Sequence, residues 1–126
     1  MEQHYLDNSS TTRPCAEAVA AVTQLMTEVY GNPSSLHTLG FAAQRALENA
    51  RASVAKALSA QPGEITFTSG GTEANNLAIF GAAQARKKRG HRIVTTAIEH
   101  PSVRNPMQAL EQAGFEVIFL KPDSTG

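Results

Sequence analysis

The chain has 126 residues, 41% of them hydrophobic and 17% charged, with 11 basic residues matched by 11 acidic ones. That composition supports a packed core and excludes a disordered chain; zero net charge and a pI near 6.9 lack the basic footprint of a nucleic-acid binder. The single cysteine, Cys15, excludes an internal disulfide and fits a reducing compartment.

The N-terminal stretch MEQHYLDNSSTTRP has no apolar signal-peptide region, and no run approaches the ~18 apolar residues of a membrane span. A soluble, cytoplasmic protein without membrane contact is expected. The first dozen residues are polar and irregular. From about Pro14, Ala18, Val19, Val22, Leu25, Met26 and Val29 recur at three- and four-residue spacing and predict an amphipathic helix, with Thr12 as its N-cap. Gly31, Asn32 and Pro33 end it, and GNPSSLHT reads as a loop. A second helix is predicted from Leu39 to Leu58, its stripe rich in alanine (Ala42, Ala43, Ala46, Ala50, Ala57), which predicts close packing.

The texture changes after SAQPGE. Ile65 and Phe67, alternating with Thr66 and Thr68, predict a short strand. A helix is expected from Thr72 to Lys88, closed by Gly90, with the cations of Arg86–Arg89 placed where the helix dipole favours them. RIVTTA is the next strand, PSVRNPMQALEQA the next helix, and FEVIFL a third strand; Pro106 is expected to kink or break that helix. Strand–helix alternation of this length predicts an α/β fold with parallel strands. Residues 1–60 form an N-terminal segment with helices, and residues 61–126 form the start of a larger α/β domain. Three strands and two helices are few for a parallel sheet, which needs both faces covered.

Two places carry chemistry. Gly70 and Gly71 stand at the carboxyl end of a predicted strand and the start of a helix, where open α/β sheets bind ligands. Glycines admit an anion close to backbone N–H groups, the helix dipole favours it, and Thr72 adds a hydroxyl donor. The pattern suits a phosphate but is neither a Walker A loop nor GxGxxG. A plain strand-to-helix turn capped by Thr72 explains the same residues. Asn75 and Asn76, poor helix formers inside a helix, either bond to a neighbouring loop or face solvent. The second place is TTAIEHPSV. Pro101 keeps His100 out of helical geometry and starts a helix, so His100 stands at the same sheet edge as Gly70–Thr72. An imidazole there can stack on a ring, move protons, or serve a structural role beside Glu99. His4, His37, His91 and Cys15 show no metal-ligand spacing.

Taken in order, YLDNSSTT, GNPSSLH, ITFTSGGTEANNLAI and TTAIEHPSV resemble the N-terminal part of the NifS/IscS-type cysteine desulfurases. These are class V aminotransferase-like enzymes of the fold-type I pyridoxal 5′-phosphate (PLP) group. The resemblance implies the conversion of L-cysteine to L-alanine, with sulfur held as a persulfide on an enzyme cysteine. That sulfur passes to an iron–sulfur scaffold or a tRNA-thiolation protein, and the family enzymes are homodimers. It further implies that Gly71 and Thr72 meet the PLP phosphate, and that His100 stacks on the pyridine ring and takes part in proton transfer. GNPSSLH matches a segment near the dimer interface and active-site mouth; no catalytic role is carried onto His37. Relatives usually show NAATT where this chain has NSSTT, which adds the hydroxyls of Ser9 and Ser10 close to the expected substrate entrance. The family's Schiff-base lysine, its aspartate for the pyridine nitrogen, its carboxylate-binding arginine and its persulfide cysteine lie further along and have no counterpart here. Lys56, Lys87, Lys88 and Lys121 stand in no such motif. An N-terminal piece of a desulfurase, inactive alone, is therefore expected. The alternatives are another class V PLP enzyme, such as a selenocysteine lyase, and a noncatalytic truncated protein that docks on a full-length partner.

Overall fold

The computed structural model describes residues 4–125. The chain divides into two units, Met1–Ile65 and Thr66–Gly126.

The first unit is helical. Helix α1 spans Ala16–Thr27 and α2 spans Thr38–Ala57. Cys15 caps α1 in place of the expected Thr12, whose hydroxyl instead donates to the Asn8 carbonyl at 3.3 Å. The α1 stripe of Val19, Val22, Leu25 and Met26 is exposed among the described residues. The connection to α2 is tight. A Cβ added to Gly31 would meet the carbonyl of Leu39, and one added to Gly40 that of Ser35, so the loop backbone lies directly on the first turn of α2. His37 caps that turn, its Nδ1 accepting from the Gly40 N–H at 3.3 Å. At the other end Ser59 sits at φ 54°, Ser59 N–H donates to the Lys56 carbonyl, and Ala60 N–H to that of Ala55. This is the paired C-terminal closure that usually places glycine at the left-handed position. A 3₁₀ turn at Pro62–Glu64 follows, and the Arg51 guanidinium donates to the Ile65 carbonyl.

The second unit carries α3 (Gly71–Arg86), β1 (Arg92–Thr96), α4 (Pro101–Gln112) and β2 (Glu116–Leu120). β1 and β2 pair in parallel, from Arg92 opposite Glu116 to Thr96 opposite Leu120, as RIVTTA and FEVIFL predict. The predicted strand over residues 65–68 does not form; the sheet of the described residues holds β1 and β2 alone. A lone apolar stretch becomes a strand only beside another strand, and pattern alone does not supply that neighbour.

Helices α3 and α4 cover one face of the sheet. Ala83 of α3, Leu110 of α4 and Phe115 form the core, with Ile79, Ile93 and Val117 packed on it. Val94, Ile118 and Leu120 are exposed on the other face. Gly114, at φ 93°, closes α4: Gly114 N–H donates to the Glu111 carbonyl and Phe115 N–H to that of Leu110. That closure folds Phe115 back onto Leu110. Pro106 does not break α4, which runs as a single helix through it. Proline lacks the N–H that would bond the carbonyl four residues earlier, that of Ser102. The side-chain amide of Asn76 donates to that carbonyl instead, at 3.4 Å.

Candidate functional site

Helix α3 begins at Gly71, and Gly70, rather than Thr72, is its N-cap. Gly70 has no side chain with which to cap the helix, and Thr72 lies inside it, so the Thr72 hydroxyl is not spent on that task. Helix geometry leaves the N–H groups of Gly71, Thr72 and Glu73 without intrahelical acceptors. A Cβ built on Gly70 or Gly71 would meet nothing within 4 Å. Neither glycine has a positive φ in the left-handed range. The fold of this unit therefore places no demand for glycine at either position, and the open space lies over a helix N-terminus, where an anion is favoured. The residues present fit a phosphate group.

Glu73 shapes the loop before the helix. Its carboxylate accepts from the Ser69 N–H at 2.6 Å and from the Ser69 hydroxyl at 2.7 Å. The bond from the Ser69 backbone, followed by that from its hydroxyl, holds the Glu73 carboxyl below the usual carboxylate range. A Glu at the third helical position reaching back across the cap is a capping device readable in SGGTE.

His100 sits at the N-cap of α4, just past the carboxyl end of β1. Its Nδ1 accepts from the Ser102 N–H at 3.1 Å and lies 2.8 Å from the Ser102 hydroxyl. A backbone N–H can only donate, so Nδ1 is the acceptor in this bond, the role it has in a ring that carries its proton on Nε2. Glu99 does not join His100. It turns back to the strand and accepts from the Thr96 hydroxyl at 2.8 Å.

Thr72 and His100 line one cleft of about 480 Å³, together with Asn76, Phe80, Ser102 and Asn105. Asn75 and Asn76 do not face solvent. Both reach the first turn of α4, Asn75 to the Ser102 hydroxyl at 2.9 Å and Asn76 to the Ser102 carbonyl. The sequence singled out Asn75 and Asn76 but not their partner Ser102, because the meeting spans 27 and 26 residues. Lys121 follows β2 directly, and Ala97 N–H donates to the Leu120 carbonyl at 2.8 Å, so this lysine stands beside the carboxyl end of β1. Among the described residues no cluster of His, Cys, Asp and Glu suits a metal, and no helix is long and apolar enough to cross a membrane.

The aminotransferase class-V family model matches residues 4–126. A NifS/IcsS protein homolog of Lactobacillus delbrueckii subsp. bulgaricus is 47% identical over 122 residues, 97% of this chain and 32% of that protein. Cysteine desulfurase 2 of Trichormus variabilis is also 47% identical, over 97% of this chain and 30% of its own length. Among solved structures, a NifS-like protein superposes with a TM-score of 0.81 at 39% identity, covering 90% of this chain and 31% of the other. The structure of SspA in complex with cysteine gives a TM-score of 0.83 at 35% identity, over 96% and 35%. The chain thus spans about a third of the length of the curated relatives it matches.

Proposed function

The chain belongs to the aminotransferase class-V family, and from that premise we propose that it forms the phosphate-and-ring half of a PLP site in a cysteine desulfurase. One observation carries the reading: Thr72, in the open first turn of α3, and the imidazole of His100 line the same cleft. The Gly71 and Thr72 N–H groups and the Thr72 hydroxyl would hold the phosphate of PLP. His100 would lay its ring against the pyridine and hold or release a proton at Nε2. When bound, PLP supplies an electron sink for the α-carbon of an amino acid.

The substrate in this reading is L-cysteine, which is named with the solved SspA structure. Its sulfur passes through an enzyme persulfide to an iron–sulfur scaffold or a tRNA-thiolation protein. The setting is a cytoplasmic homodimer, and the lysine, aspartate, arginine and cysteine that complete the site come from sequence beyond these residues.

The test is a PLP titration followed by absorbance, with inorganic phosphate as competitor. Thr72→Ala removes one charge-assisted hydrogen bond and is expected to weaken PLP roughly tenfold to a hundredfold. Unchanged affinity overturns the phosphate assignment. In an active enzyme carrying these residues, His100→Ala is expected to lower L-cysteine turnover more than PLP content; normal turnover overturns the role of His100. A coding frame that continues past Gly126 into a lysine motif supports the desulfurase reading, and a stop codon there favours the noncatalytic alternative.

A further inference from the structure

Four residues of α3 pair along one face by helical spacing. Asn75 lies one turn after Gly71, and Asn76 one turn after Thr72. The Asn76 amide donates to the Thr72 carbonyl at 2.8 Å, which ties it to the anion-binding turn. Both amides end on Ser102, which is 7% exposed. Ser102 in turn holds His100 through its N–H and its hydroxyl.

We propose that Asn75 is a positioning residue that acts through Ser102 on His100, fixing the imidazole as the Nε2–H tautomer and tying it to the anion-binding end of α3. The direction of the relay follows from its donors. The Asn75 amide gives a proton to the Ser102 oxygen and occupies one of its lone pairs. The hydroxyl then turns its single proton to Nδ1, where the Ser102 N–H also points. With Nδ1 held by two donors, Nε2 is the nitrogen left to a ligand. Asn75 itself is half-buried, so the relay is partly shielded from water. The use of this geometry in catalysis rests on the PLP reading above; the tautomer does not.

The experiment is 15N NMR of the histidine rings in the full chain, above the titration range of imidazole, with His100 identified by the signals lost in His100→Gln. The wild type is expected to show the Nε2–H tautomer. Asn75→Asp keeps the size and swaps donor for acceptor, which draws the Ser102 hydroxyl proton away from Nδ1. Ser102→Ala removes the hydroxyl. Each is expected to lower the tautomer ratio roughly fivefold to tenfold, the effect of losing one hydrogen bond, and Ser102→Thr is expected to restore it. A wild-type ring resting as Nδ1–H overturns the proposal whether or not the variants fold. So does a ratio that neither variant changes. PLP titration of the same proteins separates the two ideas. PLP binding with an unresponsive imidazole overturns the relay alone, whereas a wild type that binds no PLP overturns the function reading and with it any catalytic use of the relay.

Discussion

The side-chain amide of Asn76 donates to the carbonyl oxygen of Ser102, the oxygen that Pro106 leaves without a helical partner. Ser102 and Pro106 are both buried, so this carbonyl has little access to water. Asn76→Ala is expected to destabilise the second unit by about 1–3 kcal/mol, the cost of leaving a buried acceptor unmet. Pro106→Ala returns an N–H at the right position in the helix. In that background the same Asn76→Ala change is expected to cost clearly less. Urea denaturation of the two single variants and the double variant measures the coupling. Strictly additive effects would show that Asn76 does not stand in for the missing N–H.

Gly31 and Gly40 are expected to behave in the opposite way to Gly71. Gly40→Ala forces a Cβ onto the Ser35 carbonyl and Gly31→Ala one onto the Leu39 carbonyl, both of them backbone atoms that cannot swing aside. Each is expected to cost about 1–3 kcal/mol or more through overpacking. Gly71→Ala meets open space at the first position of a helix and is expected to leave the melting temperature unchanged or slightly raised. The same change is expected to weaken phosphate and PLP binding. A loss of stability in Gly71→Ala equal to that of Gly40→Ala would refute the assignment of the open turn to a ligand.

The cap formed by Glu73 has a defined pH window. Its carboxyl is held below the usual range by the Ser69 N–H and then the Ser69 hydroxyl. A depressed folded-state value means that the contribution is present above the ordinary carboxylate value of about 4.3 and is lost as pH falls through the lower folded value. The Ser69 amide proton, followed by NMR, is expected to hold its position near neutrality and to move only in that acid range. Glu73→Gln is expected to abolish the acid step. An amide signal indifferent to acid would remove Glu73 from the loop.

Ser59 occupies the left-handed region at φ 54°, at the position where helix ends favour glycine. Ser59→Gly is expected to stabilise the first unit by about 1 kcal/mol, because relief of Cβ strain outweighs the flexibility added to the unfolded chain. Thermal denaturation decides it, and a lower melting temperature would count against strain at this residue.

Much of the architecture was legible in local pattern. Periodic stripes mark α1 and α2, the alternation of apolar runs with Gly- and Pro-bounded segments marks α3 and α4, and the apolar runs RIVTTA and FEVIFL mark β1 and β2. Gly114 marks the end of α4 because only a left-handed residue closes a helix that way. Pattern failed where a neighbour decides. Residues 65–68 have strand chemistry but no strand beside them in the described sheet. Pro106 has helix-breaking chemistry, but an asparagine 30 positions earlier fills the gap. The sheet-edge location of His100 followed from Pro101, whereas its bond to Ser102 needed coordinates, because an imidazole near a serine has many rotamers open to it.

The gap at Pro106 also bears on the order in which the chain folds. A peptide of α4 alone leaves the Ser102 carbonyl to water, and burial of that turn stays unfavourable until α3 brings Asn76 to it. Docking of α3 and completion of α4 are therefore expected to form one cooperative event. In folding kinetics, truncation of Asn76 and truncation of Leu110 in the core should register at the same stage of the transition. Helix α4 is a segment whose own sequence begins it and whose neighbour finishes it.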